Sequence, residues 1–139
     1  MIILDTNVVS EGMRPAPSAK VMSWLAAQAV SDLCTTAVTE AEVFSGIARM
    51  PEGRRRREFQ ERAEVLFGDY FDGGILSFDS QSAPHYAAVI ATRFGQGRPI
   101  EAFDAQIAAI ARLHNATLAT RNARDFEDCG IRVVNPWEA

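Results

Sequence analysis

Three carboxylates stand where a parallel α/β chain gathers its ligands. Asp5 ends the apolar run Ile2-Ile3-Leu4 and is followed by the short polar side chains of Thr6 and Asn7. The C-terminal end of a strand is where open parallel sheets bind ligands, so a carboxylate there is aimed at chemistry. Glu42 and Asp104 fall at the starts of two later helical patterns. The segment Thr120-Arg121-Asn122-Ala123-Arg124-Asp125-Phe126 again follows an apolar run. It would supply the far wall of one site: a hydroxyl from Thr120, an amide oxygen from Asn122 and a carboxylate from Asp125. Oxygen donors of this kind suit Mg²⁺ or Mn²⁺. Such an ion lowers the pKa of a bound water and neutralises charge on a phosphoryl group.

Each member also has a plainer explanation. Thr39-Glu40-Ala41-Glu42 before an apolar run matches a capping box, in which Glu42 reaches back to the N–H of Thr39 and does nothing else. Glu40 and Glu42 lie about 200° apart around a helix, so they cannot both face one pocket. Asp104 could serve as a first-turn acid offsetting the helix dipole, and Glu101 could do the same. Asp125 could cap an ordinary turn. The case rests on the set, because a parallel sheet brings such positions to one edge.

Other chemistries lack their residues. His85 and His114 both fall inside helical patterns, and no Cys/His spacing suits zinc. No glycine-rich phosphate loop is present. Of the 14 basic residues only Lys20 is lysine, which leaves no late lysine for a response-regulator receiver. A haloacid-dehalogenase-type phosphatase needs Asp-x-Asp, and here the second position is Asn7. A module of this fold that only binds partners is the main rival to an enzyme. It predicts neither metal affinity nor metal-dependent catalysis.

Strands and helices alternate along the chain. Strands are expected at Ile2–Leu4, Leu33–Thr36, Ile75–Phe78, Thr117–Thr120 and Ile131–Val134. Helices are expected from a Ser18 cap to Gln28, from a Thr39 cap through Ile47, and over Arg54–Phe67, Ser82–Phe94 and Ala102–His114. Pro51, Gly53, Gly73-Gly74 and Gly95 punctuate them, and Asn115 suits a C-terminal cap. This alternation predicts a parallel sheet covered on both faces. With no repeat or linker, residues 1–139 are read as a single domain.

Composition sets the bounds. A 139-residue chain that is 47% hydrophobic can bury a sizeable core, and 23% charged residues keep it soluble. No apolar run approaches the roughly 20 residues of a membrane span, and no signal segment follows Met1, so a cytoplasmic protein is expected. Cys34 and Cys129 are too few and too far apart for a disulfide scaffold. A net charge of −4 excludes a generally basic nucleic-acid binder. The basic residues are almost all arginine, whose planar fork suits phosphate; arginine-rich codon usage accounts for this equally well. Arg54–Arg57 reads mainly as a solvated helix face pairing with Glu58, Glu61 and Glu64.

Taken together these residues resemble the PIN-domain ribonucleases, the toxins of VapBC-type toxin–antitoxin pairs, with the features of their FitB-like branch. The resemblance covers nearly the whole chain. It rests on Ile3-Leu4-Asp5-Thr6-Asn7 with Ser10-Glu11, then Thr39-x-x-Glu42 with Gly46, and Pro99-Ile100 before Asp104. It continues through Ile107-Ala108-Ala109 and Ala111, then Thr120-Arg121-Asn122, Asp125-Phe126 and Asn135-Pro136-Trp137. It implies a three-layer α/β/α fold around a central parallel sheet of about five strands. It implies cleavage of RNA with Mg²⁺ or Mn²⁺ bound by Asp5, Glu42 and Asp104, with a further oxygen from Asn122 or Asp125. Thr6 and Thr120 would orient a water or a carboxylate, and Arg121 and Arg124 would meet RNA phosphates. It also implies a homodimer, inhibition by a cognate antitoxin in a hetero-oligomer, and DNA contact only through that antitoxin. The chain departs from the pattern at Asn122, where many relatives carry a fourth acid.

Overall fold

The computed structural model describes residues 1–139. Five short strands pair in parallel: β1 (Ile2–Leu4), β2 (Leu33–Thr36), β3 (Ile75–Leu76), β4 (Thr117–Ala119) and β5 (Arg132–Val134). Their order across the sheet is β3-β2-β1-β4-β5. The chain therefore builds outward from β1 in one direction through β2 and β3, then returns to its other side for β4 and β5. That reversal opens a crevice at the C-terminal end of β1 and β4, where open α/β sheets bind ligands.

Six helices cover the sheet: α1 (Thr6–Met13), α2 (Ala19–Ala26), α3 (Ala37–Ala48), α4 (Arg54–Val65), α5 (Ala83–Gly95) and α6 (Ala102–Leu113). The two-residue period of each strand feeds a separate core on each face. Ile3, Cys34 and Leu118 are in register across β1, β2 and β4. They pack with Val89 of α5 and Ile107, Ala108 and Ala111 of α6. Leu4 and Ala119, also in register, point the other way. They pack with Val8 and Val9 of α1, Val21 of α2, Val43 and Ile47 of α3, and Ala63 of α4. The result is the expected α/β/α sandwich with five parallel strands.

The details differ from the sequence reading in places that matter for the site. The reading has no helix directly after β1, yet α1 begins at Thr6, with Asp5 as its N-cap. Asn7, Ser10 and Gly12 are poor helix formers, and eight residues carry little periodicity. Burial of Val8, Val9 and Met13 stabilises the helix instead. Thr39 was expected to cap α3, but the cap is Thr36, whose Oγ1 accepts from the N–H of Thr39 at 3.1 Å. The third strand is shorter than expected and ends at Leu76. Beyond α4 a π-helical turn over Leu66–Tyr70 carries Phe67 into the core, and Phe71 follows it there. Asn115, just past α6, takes the left-handed conformation expected of it, with φ 51. Both cysteines are buried and free.

Candidate active site

The site is assembled from the C-terminal ends of β1 and β4 and the N-terminal halves of three helices, α1, α3 and α6. Asp5 follows β1 directly, and its N–H still bonds to Ala119 O on β4 at 2.9 Å. It is 5% exposed. Its Oδ1 accepts from the N–H of Thr6 at 2.8 Å, and its Oδ2 from the hydroxyl of Thr120 at 2.7 Å and from Asn7 Nδ2 at 3.4 Å. An ionised carboxylate offers about four lone pairs; roughly one is left for a ligand.

Thr120 sits one residue past β4, tied to the sheet by its N–H to Val134 O at 2.9 Å. Its hydroxyl is saturated. It donates to Asp5 and accepts from Asn7 Nδ2 at 3.2 Å and from the N–H of Asn122 at 3.1 Å. Asn7 Oδ1 accepts in turn from the N–H of Arg121 at 3.0 Å. Asn7 thus staples the segment after β4 to the start of α1. Sequence alone gives Asn7 no role, although an amide two residues beyond a strand-end carboxylate is a signal for one.

Glu42 does not reach back to Thr39. Its Oε1 accepts from the Thr6 hydroxyl at 2.9 Å, which also lies 3.2 Å from Thr39 Oγ1. Because Thr36 caps α3, Glu42 lies a full turn inside the helix and faces the site. The capping-box alternative is therefore overturned. Asp104 is released in a similar way. Glu101 caps α6, its Oε2 accepting from the N–H groups of Phe103 at 3.1 Å and Asp104 at 3.3 Å. The Asp104 side chain is left free.

The charges of these acids act on one another. Burial raises the Asp5 carboxyl above its ordinary pKa, opposed by the hydrogen bonds from Thr120 and Thr6 and reinforced by the charge of Asp125. Burial also raises Glu42, with repulsion from Asp5 and Glu101 adding to it and the Thr6 hydrogen bond opposing it. Asp104 is pushed up to about 7, by burial first and then by Asp5, Glu101, Asp125 and Glu42. None of the four ion pairs in the protein involves any of these acids. Such like charges lack a positive partner, which favours protonation or a cation.

The donor set is all oxygen, as a hard divalent ion requires. No three His, Cys, Asp or Glu side chains are gathered tightly enough to enclose an ion by themselves. An ion held here would complete its coordination with waters, as Mg²⁺ commonly does. Asp125 stands in a short 3-10 turn, Ala123–Phe126, anchored by buried Phe126. Asn122 bonds through its backbone N–H and is exposed.

The family model for the PIN domain matches residues 2–131. The chain belongs to the PIN-domain family. It is similar to the VapC ribonuclease Y4jK of Sinorhizobium fredii, with 40% identity over 138 residues and 99% of each chain covered. It is similar also to Toxin FitB of Neisseria gonorrhoeae, with 39% identity over 137 residues and 99% of each chain covered. Among solved structures, a chain of the FitAB complex bound to an IR36 DNA fragment superposes with a TM-score of 0.92. That match has 39% identity and covers 99% of this chain and 96% of the other.

In this PIN domain the remaining sequence candidates divide clearly. The Arg121 guanidinium lies 5.0 Å over the Trp137 ring, on the segment that Asn7 holds beside Asp5. The run Arg54–Arg57 lies on α4, where Arg54 pairs with Glu58 at 2.9 Å and Arg55 sits over Phe59. None of these four arginines bonds to the acidic site. His85 lies within α5 and His114 caps the C-terminus of α6, each in a structural place.

Proposed function

We propose that this chain is the toxin of a toxin–antitoxin pair, an endoribonuclease that hydrolyses RNA with Mg²⁺ or Mn²⁺. One observation carries the reading: Asp5, Glu42 and Asp104 stand at the sheet's switch point, each raised by burial and by the charge of other acids, and none makes an ion pair. Likeness over the full length to a VapC ribonuclease and to a FitB toxin supports it.

Asp5, Glu42 and Asp104 would hold the ion, with Asn122 or Asp125 adding an oxygen. The ion, when bound, supplies a water of lowered pKa and neutralises charge on the phosphodiester. Thr120 and Asn7 hold the Asp5 carboxylate in one orientation. Thr6 does the same for Glu42. Arg121, braced on Trp137, and Arg124 would meet RNA phosphates.

The partner side of the reading rests on an apolar groove of about 910 Å³ between α1, α2 and α4. Val8, Val9 and Met13 line one wall, and Met22, Leu25 and Phe71 line others. A cognate antitoxin would seat an apolar segment there and direct an Arg or Lys into the acidic site. DNA would be met only through that antitoxin, in keeping with the DNA-bound FitAB neighbour. A homodimer of the toxin within a hetero-oligomer, acting on cytoplasmic RNA, completes the proposal. No helix is long and apolar enough to cross a membrane.

The test is RNA cleavage by the purified chain with and without Mg²⁺, beside Asp5→Asn. Cleavage that needs the metal and is lost in the variant is expected. Metal-independent cleavage, or full activity of the variant, sinks the reading. No cleavage together with no Mn²⁺ binding would make the chain a partner-binding module only.

A further inference from the structure

Arg93 on α5 is 6% exposed and makes no ion pair. Its acceptors are main-chain oxygens on two different segments. Nε donates to Arg98 O at 2.8 Å. Nη1 donates to Asp125 O at 2.8 Å and to Glu127 O at 3.2 Å, and lies 3.8 Å from Cys129 Sγ. Arg98 belongs to the loop that leads through Pro99, Ile100 and the capping Glu101 into Asp104. Asp125 and Glu127 belong to the turn after β4. One guanidinium therefore joins the two stretches of chain that carry Asp104 and Asp125.

A position that needed only volume would be filled by Met or Leu without desolvating a charge. The planar fork is what a side chain needs to reach several oxygens in fixed directions. A second, outer tie acts on the same turn: the Arg98 guanidinium pairs with Glu127 at 3.1 Å and Asp128 at 3.3 Å. It is partly exposed, so its contribution is small.

We propose that Arg93 is a positioning residue for the acidic site, setting where Asp104 and Asp125 stand relative to one another. It touches neither metal nor substrate. It acts through the main chain, as outer-shell partners of metal ligands do, and loss of such partners typically costs 10–100-fold in metal affinity. The inference rests on the reading of the site as a divalent-cation site.

The experiment is Mn²⁺ titration calorimetry on the full chain: wild type, Arg93→Lys, Asp125→Asn and the double variant. Lysine keeps the charge and loses the fork. The expected result is an affinity about tenfold lower in Arg93→Lys, with no further loss when that change is added to Asp125→Asn. A merely structural arginine would lower affinity equally in both backgrounds, and that outcome overturns the proposal. So does unchanged affinity in Arg93→Lys with a wild-type circular dichroism spectrum. If Arg93→Lys does not fold, Arg93→Gln, which keeps a planar donor and loses the fork and the charge, replaces it under the same two criteria. Wild type that binds no Mn²⁺ overturns the metal-site reading as well, a result distinct from Mn²⁺ binding that ignores Arg93.

Discussion

Thr120 Oγ1 donates to Asp5 Oδ2 at 2.7 Å across 115 residues of chain. The bond fixes one carboxylate oxygen of a buried acid whose other oxygen is held by the first N–H of α1. Thr120→Val keeps the shape and removes the donor and both acceptor positions. We predict an activity loss of about 10–100-fold, as for outer-shell partners of metal ligands. We also predict destabilisation of about 1–3 kcal/mol, because Asn7 Nδ2 and the N–H of Asn122 each lose an acceptor. Thr120→Ser should restore most of both. Wild-type kcat in the valine variant would remove Thr120 from the mechanism.

Asp5→Asn should abolish cleavage and leave the fold intact. The charge that it removes repels Glu42 and Asp104, which offsets the hydrogen bond its amide loses at Thr120 or Thr6, so without metal the variant should melt within a few degrees of wild type. Thermal melts in EDTA alongside the RNA assay check both halves. A melting temperature well below wild type would show that Asp5 serves the fold more than the chemistry.

Without metal, stability should fall as pH rises from about 4 to about 7. Asp104 is raised from 3.8 to about 7, so over that window the folded chain binds more protons than the unfolded one. Linkage then makes the slope of stability with pH negative. Asp5 and Glu42 are shifted in the same direction and add to it. The slope should be shallower in Asp104→Asn and should vanish with saturating Mn²⁺. Identical slopes in wild type and Asp104→Asn, both in EDTA, would contradict the assignment.

Three carboxylates with one divalent ion leave a formal charge of about −1, and with two ions about +1. The charge of Asp125 raises both Asp5 and Asp104, so we predict that it serves as the fourth acid that Asn122 does not supply. Asn122→Asp should therefore change Mn²⁺ stoichiometry little, whereas Asp125→Asn should weaken a second ion, most visibly at low ionic strength. Two tight sites persisting in Asp125→Asn would show the charge count to be wrong.

Thr36→Ala should cost about 1 kcal/mol of stability through loss of the α3 cap. Glu42→Gln should cost no cap and lose cleavage. Denaturant melts of the two variants distinguish this arrangement from a capping box centred on Thr39. If Glu42→Gln destabilises as much as Thr36→Ala, Glu42 has a capping role after all.

The apolar runs ending at Asp5 and near Thr120, the acids at helix starts and the strand–helix alternation were all legible along the chain. They are local: a parallel sheet buried on both faces demands short apolar strands, and its C-terminal ends demand polar residues. Helix α1 was not legible, because Asn7, Ser10 and Gly12 argue against a helix that burial of Val8, Val9 and Met13 then stabilises. Nor could the sequence say which of two threonines caps α3. Thr36 and Thr39 are equally good caps, and only the point where β2 ends selects Thr36.

The sequence by itself determined the type of fold and which acids were available, because strand length, turn residues and side-chain chemistry are properties of neighbours in the chain. The tertiary structure alone decided which acids are free to act. Glu42 turns to Thr6 instead of its own helix end, Glu101 takes the cap and releases Asp104, and Arg93 ties the turn that carries Asp125 to the loop before Asp104. Each outcome depends on a hydrogen bond or a charge reaching between segments distant in sequence. Such competition between local and non-local partners is settled only when the sheet has brought both within about 3 Å.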